Sequence, residues 1–217
     1  MELKGKKINF LGDSITEGVG TSCPDSLYHQ VMKREYGLSE ARNYGISGTR
    51  FARQPVVTEN RFDLDFCMRA VEMDPDADVV VVFGGTNDFG HGAAPIGGPD
   101  DREPDTFYGA CHYLFRTLMT RYPDAVIAIC TPLHRLSEDS TSGDVKPNHP
   151  GNLKRYVDII REVAELYSLP VIDLFASAGI QPKIEEHRVR FMPDGLHPND
   201  AGHRKLAERI GNFLLAY

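Results

Sequence analysis

The stretch that decides the fold reads Leu11-Gly12-Asp13-Ser14-Ile15-Thr16-Glu17-Gly18. It closes a short apolar run that begins at Ile8, and the length and uniform character of that run predict a buried strand. A glycine, an acid and a serine then end the strand in a tight turn, at the sheet edge where open α/β folds bind their ligands. The turn places Ser14 either as a nucleophile or, like Thr16, as a cap of the following helix.

The composition indicates a single globular domain over residues 1–217. A chain of this length with 41% apolar residues can bury one large core. The net charge of -7 and the scattered lysines and arginines argue against nucleic acid as a partner. The apolar run near the amino terminus is too short for a signal peptide or a membrane span, so we expect a cytoplasmic protein without membrane insertion. Whether copies of the chain form a homo-oligomer is left open by the sequence.

The spacing of cysteines and histidines favours neither a disulfide framework nor a metal site. No C-x-x-C pair occurs, and we interpret the four cysteines as reduced thiols, several of them buried: Cys23, Cys67, Cys111 and Cys130. The eight histidines show no ligand spacing with a carboxylate beside it. We therefore expect no metal and no cofactor.

Strands and helices alternate along the rest of the chain. Apolar runs predict further strands at 41–44, 78–83, 125–130 and 170–174. Helical spacing predicts helices at 26–36, 61–73, 106–122, 152–167 and 199–215, with short helical turns over 175–190. This alternation predicts an α/β fold with three α/β/α layers, whose parallel, flavodoxin-like sheet has about five strands in the order 2-1-3-4-5. The aperiodic segments 89–105 and 133–150 are expected to form long loops at the rim of the sheet.

Four polar turns follow or precede these elements and contain the residue types of nucleophilic acyl transfer. Ser14, Gly48 and Asn87 come after the first three strands, and Asp194 with His197 precedes the last helix. A serine needs a base to take its proton, and that histidine needs an orienting acid. A carboxylate three residues before a histidine can fold back to its Nδ1. The backbone N–H groups of Ser14 and Gly48 and the Asn87 amide are candidate donors to an oxyanion.

Each of these residues has a plainer interpretation when taken singly. Asp194 or Asn199 could cap the last helix, with Pro198 in its first turn. Gly48 could serve only a turn, and Asn87 with Asp88 could form an Asx-type turn. Their joint occurrence at the ends of predicted strands favours the catalytic interpretation.

Four blocks of the chain resemble the SGNH hydrolases, also called the GDSL esterase and lipase family. The matching blocks are Gly12–Thr16, Asn43–Gly48, Gly84–Asp88 and Asp194–Pro198. The resemblance covers nearly the whole chain and implies the flavodoxin-like fold described above.

The resemblance also implies roles for single residues. Ser14 is the expected nucleophile, His197 with Asp194 completes the triad, and Gly48 and Asn87 join the Ser14 N–H in the oxyanion hole. Thr16 stands where many members have Leu, with no mechanistic penalty that we can identify. We interpret Asp13 and Asp88 as residues that shape their turns and not as catalytic acids.

The expected function is a serine esterase that removes a short acyl group, above all acetyl, from a soluble hydroxylated small molecule such as a sugar. The two long loops are polar, whereas a lipase exposes a large apolar surface to lipid. Basic residues that could line the mouth of the site are Arg50, Arg53, His91, Arg102, His134 and Arg135. A thioesterase or lysophospholipase, and a catalytically silent ligand-binding module of the same fold, are the alternatives.

Overall fold

A computed structural model describes residues 1–140 and 151–217. The last ten residues of the predicted loop 133–150 lie outside the described residues. The sheet has five strands, all paired in parallel, in the order β2-β1-β3-β4-β5. Their bounds are β1 Lys7–Gly12, β2 Glu40–Gly45, β3 Val79–Phe83, β4 Val126–Cys130 and β5 Val171–Ile172. The predicted α/β class and strand order are confirmed.

The helices within the described residues cover both faces of this sheet. Their bounds are α1 Ser14–Glu17, α2 Tyr28–Tyr36, α3 Phe66–Ala70, α4 Thr86–Gly90, α5 Phe107–Arg121, α6 Leu153–Leu166, α7 Leu174–Ser177, α8 Glu185–Phe191 and α9 Asp200–Ala216. Single 3₁₀ turns lie at Pro24–Ser26 and Arg61–Asp63. None of the helices within residues 1–140 and 151–217 is both long and apolar enough to cross a lipid bilayer.

Two apolar cores, one on each face of the sheet, explain the predicted three layers. Along β3, Val80 and Val82 pack into a core with apolar residues of α3, α5 and α6. Val79 and Val81 point to the other face and pack with residues of α2 and α9. Successive side chains of a strand point to opposite faces, so a strand that is covered on both sides is apolar throughout. This is why the run of valines in β3 marks a central strand.

The register of the strands collects the polar turns at one edge of the sheet. Gly12 of β1 lies beside Gly45 of β2 and Phe83 of β3, and Phe83 lies beside Cys130 of β4. The turns that follow these strands therefore begin at the same level. This alignment explains why the turn of Ser14 and the polar turns after β2 and β3 lie at the same edge of the sheet.

Two predicted elements are shorter in the structure. The predicted helix 61–73 is reduced to a 3₁₀ turn and α3, because the Asp65 carboxylate accepts the Met68 N–H at 2.8 Å and starts a new helix there. Phe62 and Met68, whose spacing predicts an apolar helix face, are instead 42% and 47% exposed. The fifth strand ends two residues early, because the Asp173 side chain caps α7.

Candidate active site

The turn after β1 leaves the Ser14 hydroxyl available for a long-range contact. Asp13, and neither Ser14 nor Thr16, caps the helix, since its Oδ1 accepts the Ile15 N–H at 3.0 Å. Thr16 instead shares a buried hydrogen bond of 3.0 Å with the Tyr28 hydroxyl. Gly12 is required by close packing, because a Cβ there would lie 1.9 Å from the Thr16 Oγ1. Ser14 itself is 7% exposed at the surface of the turn.

The turn before α9 orients its own histidine. The Oδ1 of Asp194 accepts the N–H groups of Leu196 at 2.9 Å and His197 at 2.7 Å. Its Oδ2 lies 2.7 Å from the His197 Nδ1, and the His197 Nε2 lies 3.0 Å from the Ser14 Oγ. Asn199, and not Asp194, caps α9 by accepting the Gly202 N–H at 3.1 Å. Pro198 therefore precedes the cap and is not in the first turn of the helix.

The two aspartates that flank this contact differ in charge near neutral pH. Partial burial opposes ionisation of Asp194, but hydrogen bonds from the His197 N–H and ring and from the Leu196 N–H outweigh it and lower its pKa. Burial dominates at Asp13 and raises its pKa to about 7, although the Ile15 N–H and the Arg69 charge partly offset the effect. Asp194 therefore supplies the steady negative charge beside the imidazole.

A buried arginine joins the turn after β1 to the loop after β2. Arg69 donates to the Gly12 carbonyl at 3.2 Å, to the Thr49 Oγ1 at 2.9 Å and to the Tyr44 carbonyl at 2.6 Å. Burial lowers its pKa to about 10, so the side chain stays charged at neutral pH. The sequence analysis did not single out this residue, because its partners lie far from it in the chain.

Gly48 carries a backbone conformation and a packing contact that both require glycine. Its φ is +77°, in the left-handed region that disfavours a side chain. A Cβ at Gly48 would also lie 2.6 Å from the Phe62 Cδ1. Phe62 belongs to residues 58–63, which we call the strap. The space over the Gly48 α-carbon is therefore filled by an aromatic ring, a contact that the sequence analysis did not predict.

The turn after β3 contacts the same loop through two side chains. The Asn87 Nδ2 donates to the Thr49 carbonyl at 3.1 Å, which brings the amide beside Gly48. The Asp88 carboxylate accepts the N–H groups of Phe51 and Ala52, both at 2.9 Å. The structure thus brings Asn87 to the loop of Gly48, and Asp88 ties that loop to the end of β3.

Three of the basic residues expected at the rim, Arg50, His91 and His134, contact neighbouring side chains of the protein. Arg50 is buried, forms an ion pair with Asp63, and lies with its Nη1 3.3 Å from the His91 Nδ1. His134 lies 2.7 Å from the Glu138 carboxylate through its Nδ1, and its ring packs on Phe175 at 3.8 Å between centroids.

The other three expected rim residues divide between the site and more distant grooves. Arg135 is buried with its Nη1 3.4 Å from the Thr86 carbonyl, one residue before Asn87. Arg53 and Arg102 line two other grooves, and neither of these grooves includes Ser14 or His197.

A narrow crevice, which leaves no room for a water molecule, lies next to the turn of Ser14 on the side of β3 and β4. Its walls are formed by Asp13, Ile15, Phe83, Gly84, Thr86, Pro132, Leu133, His134, Arg135 and Leu196. Within the described part of the chain, no three His, Cys, Asp or Glu side chains come together as a metal site would require. The functional groups present are therefore a hydroxyl, an imidazole, a carboxylate and an amide.

Comparisons with known proteins agree with the fold. A GDSL lipase of Mycobacterium tuberculosis is 29% identical over 209 residues, which are 94% of this chain and 79% of that protein. A solved structure from Lactobacillus plantarum is 30% identical and superposes with a TM-score of 0.84, covering 99% of this chain and 98% of the other. The structure of an acetyl xylan esterase is 25% identical with a TM-score of 0.63, covering 96% of this chain and 99% of the other.

The family itself follows from a match over most of the sequence. The family model described as GDSL-like lipase/acylhydrolase matches residues 10–205, a range that contains Ser14, Gly48, Asn87, Asp194 and His197. The polar turns at the edge of the sheet all fall inside this range. The chain belongs to the GDSL-like lipase/acylhydrolase family.

Proposed function

We propose that this chain, acting as one catalytic domain, is a serine esterase that hydrolyses short-chain esters, principally acetyl esters, of a soluble hydroxylated compound such as a sugar. The observation that carries the proposal is the continuous contact from Asp194 through His197 to Ser14, with distances of 2.7 and 3.0 Å. Such a chain of carboxylate, imidazole and hydroxyl is what a serine nucleophile needs for activation.

In the acylation step, the Ser14 Oγ attacks the ester carbonyl while the His197 Nε2 takes the hydroxyl proton. Asp194 holds the ring so that Nδ1 carries its hydrogen, and its charge stabilises the imidazolium that forms. Collapse of the tetrahedral intermediate breaks the bond to the alcohol, which leaves with the proton from His197. A water molecule then attacks the acyl-enzyme through the same proton transfers and releases the acid.

The oxyanion of the intermediate is assigned to donors from three turns. The N–H groups of Ser14 and Gly48 are two of them. The Asn87 amide has two hydrogens and gives one to the Thr49 carbonyl, so the second remains for the substrate oxygen. The loss of one such donor typically lowers the rate about 100- to 1,000-fold.

The preference for a short acyl group rests on the shape of the site and on one relative. The side chains between the turn of Ser14 and the ends of β3 and β4, among them Thr86, Pro132 and Leu196, pack so closely that a water molecule does not fit between them. The wider grooves lined by Arg53 and Arg102 include neither Ser14 nor His197, so a long acyl chain on Ser14 does not lie in either of them. The similar fold of an acetyl xylan esterase supports the acetyl group and a sugar alcohol.

Labelling with a fluorophosphonate tests the nucleophile, because this reagent reacts only with an activated serine. We expect one adduct, on Ser14 of the folded protein, and none in Ser14→Ala. The absence of an adduct would support a silent binding module. Relative turnover of nitrophenyl acetate and nitrophenyl octanoate then tests the acyl length, and faster octanoate turnover contradicts the acetyl preference. A parallel acyl thioester assay addresses the thioesterase alternative.

A further inference from the structure

An exposed aromatic ring covers one side of the candidate site. Phe62 is 42% exposed, although phenylalanine is normally buried, and its ring lies over the Gly48 α-carbon. The ring atoms Cδ1, Cε1 and Cγ all lie within 3.1 Å of the position that a Gly48 Cβ would take. The Gly48 N–H is one of the three proposed oxyanion donors. One side of the ring therefore packs against the loop of Gly48, while part of the residue is open to solvent.

The strap holds this ring in place through contacts at both of its neighbours. Asp63 forms a buried ion pair with Arg50 and accepts the Thr58 N–H at 2.8 Å. Arg61 donates to the Glu17 Oε1 at 2.6 Å, and the Oε2 of Glu17 accepts the Ser47 N–H at 2.6 Å. Glu17 thus connects the helix of Ser14, the loop of Gly48 and the strap. A ring that is already ordered loses little further entropy when it binds a ligand.

The order of the strands separates this ring from the narrow crevice. Ser14 follows β1, which lies between β2 and β3. The crevice lies on the β3 and β4 side, whereas Phe62 covers the loop that follows β2. The β3 and β4 side is packed too closely to admit even a water molecule. The larger, alcohol portion of a short-acyl ester bound at Ser14 is therefore directed toward the loop of Phe62.

The surroundings of Phe62 suit a sugar ring better than an alkyl chain. The two residues beside it in the chain, Arg61 and Asp63, are charged and bind Glu17 and Arg50, and an Arg50 Nη donates to the carbonyl of Phe62 itself. An alkyl chain needs continuous apolar surface. A pyranose instead presents a face of C–H groups to the electron-rich face of an aromatic ring, while its hydroxyl groups point to polar neighbours.

We propose that Phe62 is a stacking platform for the sugar ring on the alcohol side of the ester. The inference rests on the proposed esterase function, because it assigns the second half of the same substrate. It makes Phe62 a specificity-determining residue and not a participant in the bond changes.

A change in substrate preference is the first test. Two esters are compared, a methyl glucoside acetylated at one hydroxyl and ethyl acetate, which has no ring to stack. We expect Phe62→Ala to lower the ratio of the two kcat/KM values about 3- to 10-fold, mainly through KM for the sugar ester. Phe62→Trp should retain the ratio. Val56→Ala, an exposed change just before the strap, is the matched control and should leave the ratio as in the wild type. Equal losses on both esters would overturn the proposal, because they would show that the ring only supports the Gly48 loop.

Binding without turnover is the second test, and it separates the two hypotheses. The chain contains no tryptophan, so Phe62→Trp introduces a single fluorescent reporter. In a Ser14→Ala background we expect the emission of this reporter to shift as the acetylated methyl glucoside is added. Val56→Trp in the same background should not respond. If the wild type hydrolyses no ester but the Phe62→Trp reporter responds, the esterase hypothesis fails and the platform stands. If esters are hydrolysed but the reporter does not respond, the platform is wrong.

Discussion

The turn over residues 192–198 and the strap over residues 58–63 flank Ser14 but are held in different ways. In the turn, Asp194 binds groups only two and three residues away, Leu196 and His197. In the strap, Arg61 binds Glu17 across 44 residues of sequence, and the ring of Phe62 packs on a loop that follows another strand. The bonds that orient His197 are therefore local, whereas the strap is fixed to the rest of the molecule by contacts with distant segments.

This difference predicts which changes act on chemistry and which act on substrate preference and stability. A locally built turn can lose a side chain without disturbing the rest of the fold. A segment held by buried charges across the fold loses stability with its contacts. Variants at each region should therefore separate these two effects.

The largest expected effect is on turnover, in His197→Ala. Without the imidazole no group in contact with Ser14 can accept its proton, so kcat should fall on the order of 10⁴-fold or more. Thermal unfolding should remain close to that of the wild type, because the His197 side chain belongs to neither of the two apolar cores. The double variant Ser14→Ala/His197→Ala should be no slower than either single variant. A loss of less than about 100-fold would contradict the role of His197 as the base.

The next effect separates orientation of the histidine from capping of the helix. Asp194→Asn keeps an oxygen for the Leu196 and His197 N–H groups but removes the charge beside Nδ1, and we expect kcat to fall about 10²- to 10⁴-fold. Asn199→Ala is the matched control in the same turn. It should lower the free energy of unfolding by about 1 kcal/mol through loss of the α9 cap and leave kcat near the wild-type value. Steady-state kinetics and urea unfolding of both variants measure these two effects. Equal reductions of kcat in both variants would contradict the separate roles of Asp194 and Asn199.

The third prediction concerns the ion pair between Asp63 of the strap and Arg50. Asp63→Ala leaves the Arg50 guanidinium buried without its carboxylate, and we expect the free energy of unfolding to fall by about 3 kcal/mol. The pair formed by Arg61 and Glu17 is more exposed, at 56% and 29% of the side chains. Arg61→Ala is therefore the control and should cost less than about 1 kcal/mol. Chemical unfolding followed by circular dichroism compares the two, and equal costs would show that burial of the Arg50 pair has no consequence.

The smallest effect concerns Asp13 and depends on pH. Asp13 has a pKa of about 7 in the folded protein and an ordinary value of 3.8 when unfolded. The folded state therefore binds the proton more tightly, and this contribution to stability is complete below about pH 3.8 and lost as the pH rises through about 7. Relative to Asp13→Asn, the wild type should lose about 2.5 kcal/mol of unfolding free energy between pH 5 and pH 8.

This pH dependence also bears on the kinetics. A rise in kcat/KM around neutral pH reports ionisation of a group of the free enzyme, and Asp13, with its pKa raised to about 7 by burial, is one candidate. Asp13→Asn removes this group and leaves His197, the proposed base, in place. We expect the rise to persist in this variant, and its disappearance would assign it to Asp13.

The elements with strong local signals could be predicted from the sequence. The valine run of β3 and the glycine-bearing turns after the first three strands are local features, and the alternation of strands and helices predicts a parallel sheet. The strand order is predicted by analogy with flavodoxin-like folds and is confirmed. The turn of Asp194 and His197 could be predicted for the same reason, since its partners are neighbours in the chain. The site roles of these residues remain predictions until the variants above are measured.

The features that the sequence analysis missed depend on contacts between distant segments. Arg69 binds the Gly12 carbonyl from 57 residues away, and no pattern around either residue indicates this bond. The spacing of Phe62 fits an apolar helix face, but the bonds of Asp63 to Thr58 and Arg50 hold that segment outside a helix. The sequence contains one hint of this arrangement: Arg61 and Asp63 flank Phe62 at the start of the predicted helix.

The contact between Ser14 and His197 spans 183 residues and is made by the segment that leads into α9. During synthesis Ser14 is therefore made long before His197, the proposed base. Contacts of such high sequence separation form late, because closing the intervening chain costs entropy first. We therefore expect the docking of α9 on α2, against which it packs, to be a late event. An unfinished chain thus carries an inert hydroxyl, and the recovery of esterase activity during refolding would time the completion of the fold.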